Sequence, residues 1–532
     1  MICKITPTCV KYSAGIGLVF ALGEGRERGD YRLRSTVALL FILVLGPSVS
    51  GQAATQSSAS KKIYIKAVYS LPLSLDPVQM NDTASLVAGN LLYDGLLRFS
   101  PTLKIEGALA EDWSTSADGR TITFKLRSGA KFHDGSQVTA DDVVASLSRA
   151  LSAESKVKKL YDCIQGIKAI DSLTVTIQLT HPFPPFLSVL AGATAKILPK
   201  KSVAAKNFFE KPIGSGPFRF VDREASPFRR LVLEAFAEHY QGKPKLDRLI
   251  LQETSEAQAL ELAANGQIHD LANWPLTGSE PVFAKGQKIT GPVAATWIIG
   301  LNTKIPPFNS LKVRQNFRHA VDVDGFREKF FSDAIPSYGY VPPGLPGYLS
   351  IGGHVASKNA ASKSRIKIVI PDALLRHKEM KTFLESSLRA NGWNVEVVPM
   401  AWDKLMDGYV GKVHQAFLVS MNMDYPDAEF LLRNFQSTNS DNFSGLKDAK
   451  IDTLLSEART TQDRKKRQEL YRSALALVDE AAVTVNLFHP RANIWASECV
   501  RGLHPNILSD VYIDYAQVSL ADNCSGVSVV AR

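Results

Sequence analysis

The sequence predicts an α/β protein of several domains, and three observations carry that reading. Its 532 residues correspond to roughly three or four units of about 150 residues each. From Ile366 the apolar rhythm alternates: a strand over 366–370, a helix over 378–391, a strand over 395–398, a helix over 402–410 and a strand over 416–421. That order is the mark of βαβ units around a parallel sheet. Elsewhere, short segments such as Thr121-Ile-Thr-Phe-Lys-Leu-Arg127 alternate apolar and polar residues, the pattern of a strand with one buried face.

Composition narrows the class. At 45% hydrophobic and 21% charged, the chain can bury a large core and is not disordered. One long apolar run excludes a multi-span membrane protein, and five cysteines are too few for a disulfide scaffold. The net charge of +10 is dispersed. Its short basic clusters, Lys156-Val-Lys-Lys159 and Arg464-Lys-Lys-Arg467, lie among acids rather than in a stripe interleaved with aromatics, so nucleic-acid binding is not indicated.

The N-terminus reads as an export signal. An Arg-rich stretch over 26–34 precedes the apolar core Thr36-Val-Ala-Leu-Leu-Phe-Ile-Leu-Val-Leu45 and the small-residue exit Ser48-Val-Ser-Gly-Gln-Ala-Ala54, the three parts of a secretory signal peptide. A single uncleaved anchor is the alternative, although spanning a bilayer takes about 20 apolar residues. We assign 1–54 to the signal, with a start codon placed too early as one account of its length, and 55–61 to a linker.

Thereafter, strands are expected over 62–69, 121–127 and 174–179, with a helix over 83–92. Phe132-His-Asp-Gly-Ser136 is a tight turn, since Asp-Gly supplies the positive φ that such turns need. Thr139 opens a helix with Asp142 placed as in a capping box. Residues 214–220 and 230–236 form a hairpin, 246–252 a strand, and 255–266 a helix ended by glycine. A buried strand over 297–302, a helix from 313 to 321, helices over 449–459 and 463–480, and strands over 483–488 and 492–495 complete the chain.

Catalytic constellations are sparse. There is no GxSxG, GxxxxGK[ST], HExxH or CxxC, and the histidines lack metal-ligand spacing. Gly214-Ser-Gly-Pro lacks the following helix that a phosphate cradle requires. Asp424-Tyr-Pro-Asp427 follows a strand of the βαβ region. Strand ends of this kind are where ligands dock in α/β sheets. A Cys499–Cys524 bridge and free buried thiols are both open.

Several segments together resemble the oligopeptide- and dipeptide-binding proteins of ABC importers, the family 5 solute-binding proteins. They are Ser74-Leu-Asp-Pro77, Leu92-Tyr-Asp-Gly-Leu-Leu97, Ala108-Leu-Ala-Glu-Asp-Trp-Ser114, the run from Thr121 to Val143, Gly214-Ser-Gly-Pro-Phe218, Pro306-Phe-Asn-Ser-Leu-Lys-Val-Arg314, Trp402 and Asp424-Tyr-Pro-Asp427. The resemblance implies a fold like the type II periplasmic binding proteins: two α/β lobes enclosing a cleft, plus an extra domain. Lobe I would be 62–94, 200–300 and 489–532, the extra domain 95–199, and lobe II 301–488.

It also implies a function. The protein would be a periplasmic, monomeric substrate-binding component that delivers peptides to membrane permease subunits, with no catalysis, cofactor, metal or nucleic acid. Asp424 would receive the peptide ammonium, Ser420, Met421 and Asn422 would pair with its backbone, Asn81 and Thr83 would face them, and Trp402 would enter the cleft. The positions aligned with the family's carboxylate-binding arginines hold Tyr409 and Leu418, which offer a ligand carboxylate no cation. A nickel chelate, haem, oligosaccharide or opine ligand, a ligand sensor, and an exported hydrolase using Asp424 and Asp427 are the rivals.

Overall fold

The computed structural model describes residues 61–272, 283, 285–345, 347–350, 364–372, 374, 376–522 and 524. The expected signal and all of the linker but Lys61 lie outside them.

Ile63-Tyr-Ile-Lys-Ala-Val68 forms the middle of a seven-stranded sheet. The strand order is Gly286–Pro292, Arg491–Ser497, Asp270–Ala272, Ile63–Val68, Arg248–Glu253, Arg230–Ala235, Phe218–Glu224. Ile63–Val68 runs parallel to Arg248–Glu253 and Asp270–Ala272. Such parallel strands are apolar on both faces because both are covered. Tyr64, Leu249 and Leu251 pack on one side with helix Thr83–Leu92, while Ile65 and Ile250 pack on the other with helix Glu256–Ala264.

A six-stranded sheet follows the order Ile335–Pro336, Thr484–His489, Ala295–Leu301, Ala416–Asn422, Ile366–Pro371, Val395–Met400. The expected βαβ region is parallel, as read; its remaining neighbours are antiparallel. Helix His377–Ala390 buries Met380, Leu384 and Leu388 against one face, and helix Arg464–Glu480 buries Tyr471, Ala474 and Leu475 on the other. One boundary moves. From the sequence, the second piece of lobe I is expected to end at 300, but Ala295–Leu301 pairs along its full length with Ala416–Asn422. The passage therefore falls at Val293, whose N–H donates to the Pro490 carbonyl at 3.1 Å, where the chain also returns.

A four-stranded antiparallel sheet, Ala110–Thr115, Thr121–Leu126, Thr174–Leu179 and Ile164–Ala169, packs with helix Ala140–Ala150 around Phe124, Val143, Leu147, Val175 and Ile177. That helix opens as expected, with the Thr139 N–H donating to Asp142 Oδ2 at 2.8 Å.

His133 and the 214–216 loop explain each other. The Gly214 N–H donates to His133 Nδ1 at 3.1 Å, so Nε2 carries the proton and donates to the Gly216 carbonyl at 3.0 Å. Burial holds this imidazole neutral, its pKa pushed down to about 4. Both glycines lie on the Leu92 backbone; a Cβ at Gly214 would stand 1.9 Å from the Leu92 oxygen. These residues fasten the inserted sheet to the first helix. Cys499 and Cys524 are disulfide-bonded, and Cys163 is buried and free.

Candidate functional site

Strands Ile63–Val68 and Ala416–Asn422 belong to different sheets, and their C-terminal ends meet at a cavity of about 630 Å³. Its lining includes Lys66 to Ser70 from the first sheet, Asn81 to Thr83 at the start of the first helix, Asn422 to Asp424 from the second sheet, and Ser509 to Val511. A second chamber of about 360 Å³ reaches the inserted domain at 156–160 and 188–194. The chambers share Asn81, Leu86, Met423, Asp424, Ser509 and Val511. Asp424 stands at their junction.

Why Asp424 sits there is local. Ala416–Leu418 is buried in the sheet, and pairing with Ala295–Leu301 ends at Asn422. The Met423 N–H then donates to the Ala294 carbonyl at 3.0 Å, and Pro426 turns the chain away. The ladder to Ile366–Pro371 covers only Ala416 and Phe417, so among the described residues no strand pairs with the edge from Leu418 to Asn422.

The Asp424 side chain opens to the cavity but is crowded by protein elsewhere. That crowding raises its carboxyl above the ordinary aspartate range, with Arg433 pulling the other way. Among the described residues no donor hydrogen-bonds to its carboxylate. Asp427 differs: it is buried, accepts from the Glu429 N–H at 3.1 Å, and pairs with Arg467 at 3.3 Å. It lines neither chamber.

Asn81, Thr83, Asn422 and Asp424 therefore come together at the cavity, whereas Ser420, Met421 and Trp402 line neither chamber. Ser420 bonds to the Asn422 side chain at 3.0 Å, and Met421 packs on the apolar core behind the sheet. Trp402 is half exposed at the start of helix Trp402–Val410, which follows the sheet's edge strand. Tyr409 and Leu418 are core residues; Tyr409 packs on Phe417 and Phe443.

The first-sheet wall was not anticipated. Lys66 is 2% exposed, and its Nζ lies 2.8 Å from Asp270 Oδ1. Asp270 also accepts from Tyr64 at 2.6 Å and Tyr515 at 3.2 Å. A lysine sharing the buried face of Tyr64 in Ile-Tyr-Ile-Lys was the available signal. Asp82 is occupied as well, accepting from the Ser85 N–H at 2.9 Å to cap the first helix.

Two sheets whose strand ends enclose a cavity, with a third domain at its side, define a two-lobed α/β ligand-binding scaffold. The chain belongs to the bacterial extracellular solute-binding proteins, family 5, whose middle-region model matches residues 104–443. The glutathione-binding protein GsiB of Pectobacterium atrosepticum is 32% identical over 313 residues, 56% of this chain and 60% of that protein. The matched stretch thus spans less than two thirds of this curated relative. Among solved structures, HbpA2 of Haemophilus parasuis has a TM-score of 0.76 at 21% identity, covering 86% of this chain and 100% of that one. The periplasmic binding protein DppA of Helicobacter pylori, in complex with peptide STSA, has a TM-score of 0.72 at 23% identity, covering 86% and 98%. The fold is that of the type II periplasmic binding proteins.

Proposed function

We propose that the protein is the extracytoplasmic binding component of an ABC importer and holds peptides by their amino terminus. The observation that carries this is Asp424, a crowded carboxylate without a donor at the junction of two chambers. Such a group wants a cation, and a charge-assisted bond inside a cleft is strong. A peptide brings an ammonium and, behind it, backbone groups able to pair with the free edge at Leu418–Asn422, the strand-addition mode. The two large sheets would be the cores of the two lobes. The peptide in the DppA complex and the glutathione bound by the curated relatives are ligands of this chemistry.

The signal over 26–45 would send the chain to the periplasm, where it would act as a monomer and hand its ligand to permease subunits. We read it as a binder rather than a hydrolase because Asp427, the second carboxylate a hydrolase would need, is committed to Arg467.

Calorimetry tests the anchor. Asp424→Asn should cost about 2–5 kcal/mol in peptide binding, because the ammonium is then held without its partner. Acetylating the peptide should cost a comparable amount, and the two changes together much less than their sum. Equal affinity of Asp424→Asn and wild type would place the anchor elsewhere.

A further inference from the structure

The lining of the smaller chamber combines charges of both signs with apolar side chains. Asp424 stands at the junction, and Lys156 and Lys159 line the wall given by the inserted domain. Met80, Leu86, Val157, Leu160 and Val189 line the same chamber. Three hydroxyls of the lining are already engaged: Thr194 with Tyr161 at 3.0 Å, Tyr425 with Glu429, and Tyr512 with the Ala193 N–H at 3.2 Å. Neither lysine has an ion-pair partner among the described residues. Their loop is nonetheless fixed, with the Lys156 N–H donating to the Val78 carbonyl at 3.0 Å and the Gln79 side chain donating to the Glu154 carbonyl at 2.7 Å. Lys66, the cation of the larger chamber, is already paired with Asp270.

An amino-terminal residue anchored at Asp424 sends two groups away from its Cα, its own side chain and the rest of the peptide. The rest of the peptide needs the larger chamber, which Asn422 at the end of the free strand edge lines. That leaves the smaller chamber to the first side chain. We propose that Lys156 and Lys159 form a first-residue specificity site that selects peptides beginning with an acidic side chain. This rests on the amino-terminal anchor proposed above. The apolar lining accommodates the methylene stem, and the lysines meet the carboxylate.

The test is calorimetry with Glu-Ala-Ala, Gln-Ala-Ala and Ala-Glu-Ala on the wild type, on Asp424→Asn and on the double variant Lys156→Gln/Lys159→Gln. Both lysines are exposed, so the double variant should fold, which a melting curve checks. We expect Glu-Ala-Ala to bind the wild type about tenfold more tightly than Gln-Ala-Ala, the scale of one charge-assisted contact. The ratio should fall to about one in the double variant, and Ala-Glu-Ala should gain nothing over Gln-Ala-Ala. A ratio of one on the wild type, with Asp424→Asn still weakening both peptides, overturns the specificity site and leaves the anchor standing. A ratio that survives in the double variant overturns the lysine assignment. An equal gain for Ala-Glu-Ala, or a loss on amidating the carboxyl terminus that the lysine variant abolishes, assigns the lysines to another carboxylate and overturns it too. Equal binding of all peptides to wild type and Asp424→Asn, or no binding at all, overturns the anchor and this site with it.

Discussion

Asp270 lies behind one wall of the cavity, under Lys66, and Asp424 lines the other; their surroundings are opposite. Asp270, fully buried in the seven-stranded sheet, is met by Lys66, Tyr64 and Tyr515. Asp424, just past the six-stranded sheet, is crowded, but its carboxylate receives no donor from the described residues. A carboxylate removed from water must be compensated or it destabilises the fold. The first is compensated within the protein and belongs to the scaffold. The second is left for something that arrives. The state of partnership therefore separates wall from site, where the residue type alone does not.

The comparison breaks most visibly at Asp270. Asp270→Ala leaves the Lys66 ammonium buried without its anion, and removing one partner of a buried pair costs about 3–5 kcal/mol. Denaturant unfolding should show a loss of that size. A loss below about 1 kcal/mol would mean that water reaches the pair and that this wall is not braced as described.

The same side of the molecule is tied covalently. The Cys499–Cys524 bond closes a loop with a sequence separation of 25 residues, and removing such a constraint costs roughly 3 kcal/mol on the chain-entropy account. Cys499→Ser/Cys524→Ser should melt earlier by that amount. Thiol counting on denatured, unreduced protein lacking its first 54 residues should find Cys163 alone. Finding three thiols would remove the bond.

A smaller effect comes from His269, beside Asp270. Its Nδ1 accepts from the Ile65 N–H at 2.9 Å, and burial pushes its pKa down to about 4, with Asp270 opposing. A histidine with a depressed folded pKa leaves stability untouched above the unfolded value of about 6.5. It removes stability as pH falls from there toward 4, because only the unfolded chain takes up the proton. At pH 5 that is about 2 kcal/mol. Between pH 7 and 5 the wild type should therefore lose about 2 kcal/mol more than His269→Gln. Equal losses would show that water solvates the imidazole.

How much of this the sequence announced depended on whether a residue's role is local. The strands with a clean period, the βαβ run from Ile366 and the Thr139–Asp142 cap are local, and the structure has them. Gly286–Pro292 is not. Its two glycines and proline give no strand pattern and leave it unassigned from the sequence, yet it pairs with Arg491–Ser497 over its whole length, because an edge strand tolerates proline. Asp270–Ala272 is three residues long and owes its strand geometry to its neighbours. At the cavity, Asp424, Asn81, Thr83 and the strand Ser420-Met421-Asn422 come from the family resemblance, and Trp402 from its spacing to Asp424; of these, Ser420, Met421 and Trp402 lie outside the lining. Lys156, Lys159 and the 188–194 wall carry no period, and only tertiary packing brings them to Asp424.

Asp424 should give the smallest stability effect and the sharpest functional one. Its surface is open to the cavity, so water still supports the charge, and no native hydrogen bond is lost on substitution. Asp424→Asn should accordingly be no less stable than wild type in denaturant unfolding at neutral pH, because a carboxyl raised on folding opposes folding when ionised. Ligand binding should carry the pH dependence instead. Because crowding raises the carboxyl above its usual value near 4, the ionised form that pairs with an ammonium is lost earlier as pH falls. Affinity should therefore decline from a pH above that value in the wild type and stay flat over the same range in Asp424→Asn. A wild-type profile as flat as the variant's would mean that the ligand's cation does not meet Asp424, and a variant that unfolds would mean that Asp424 resembles Asp270 after all.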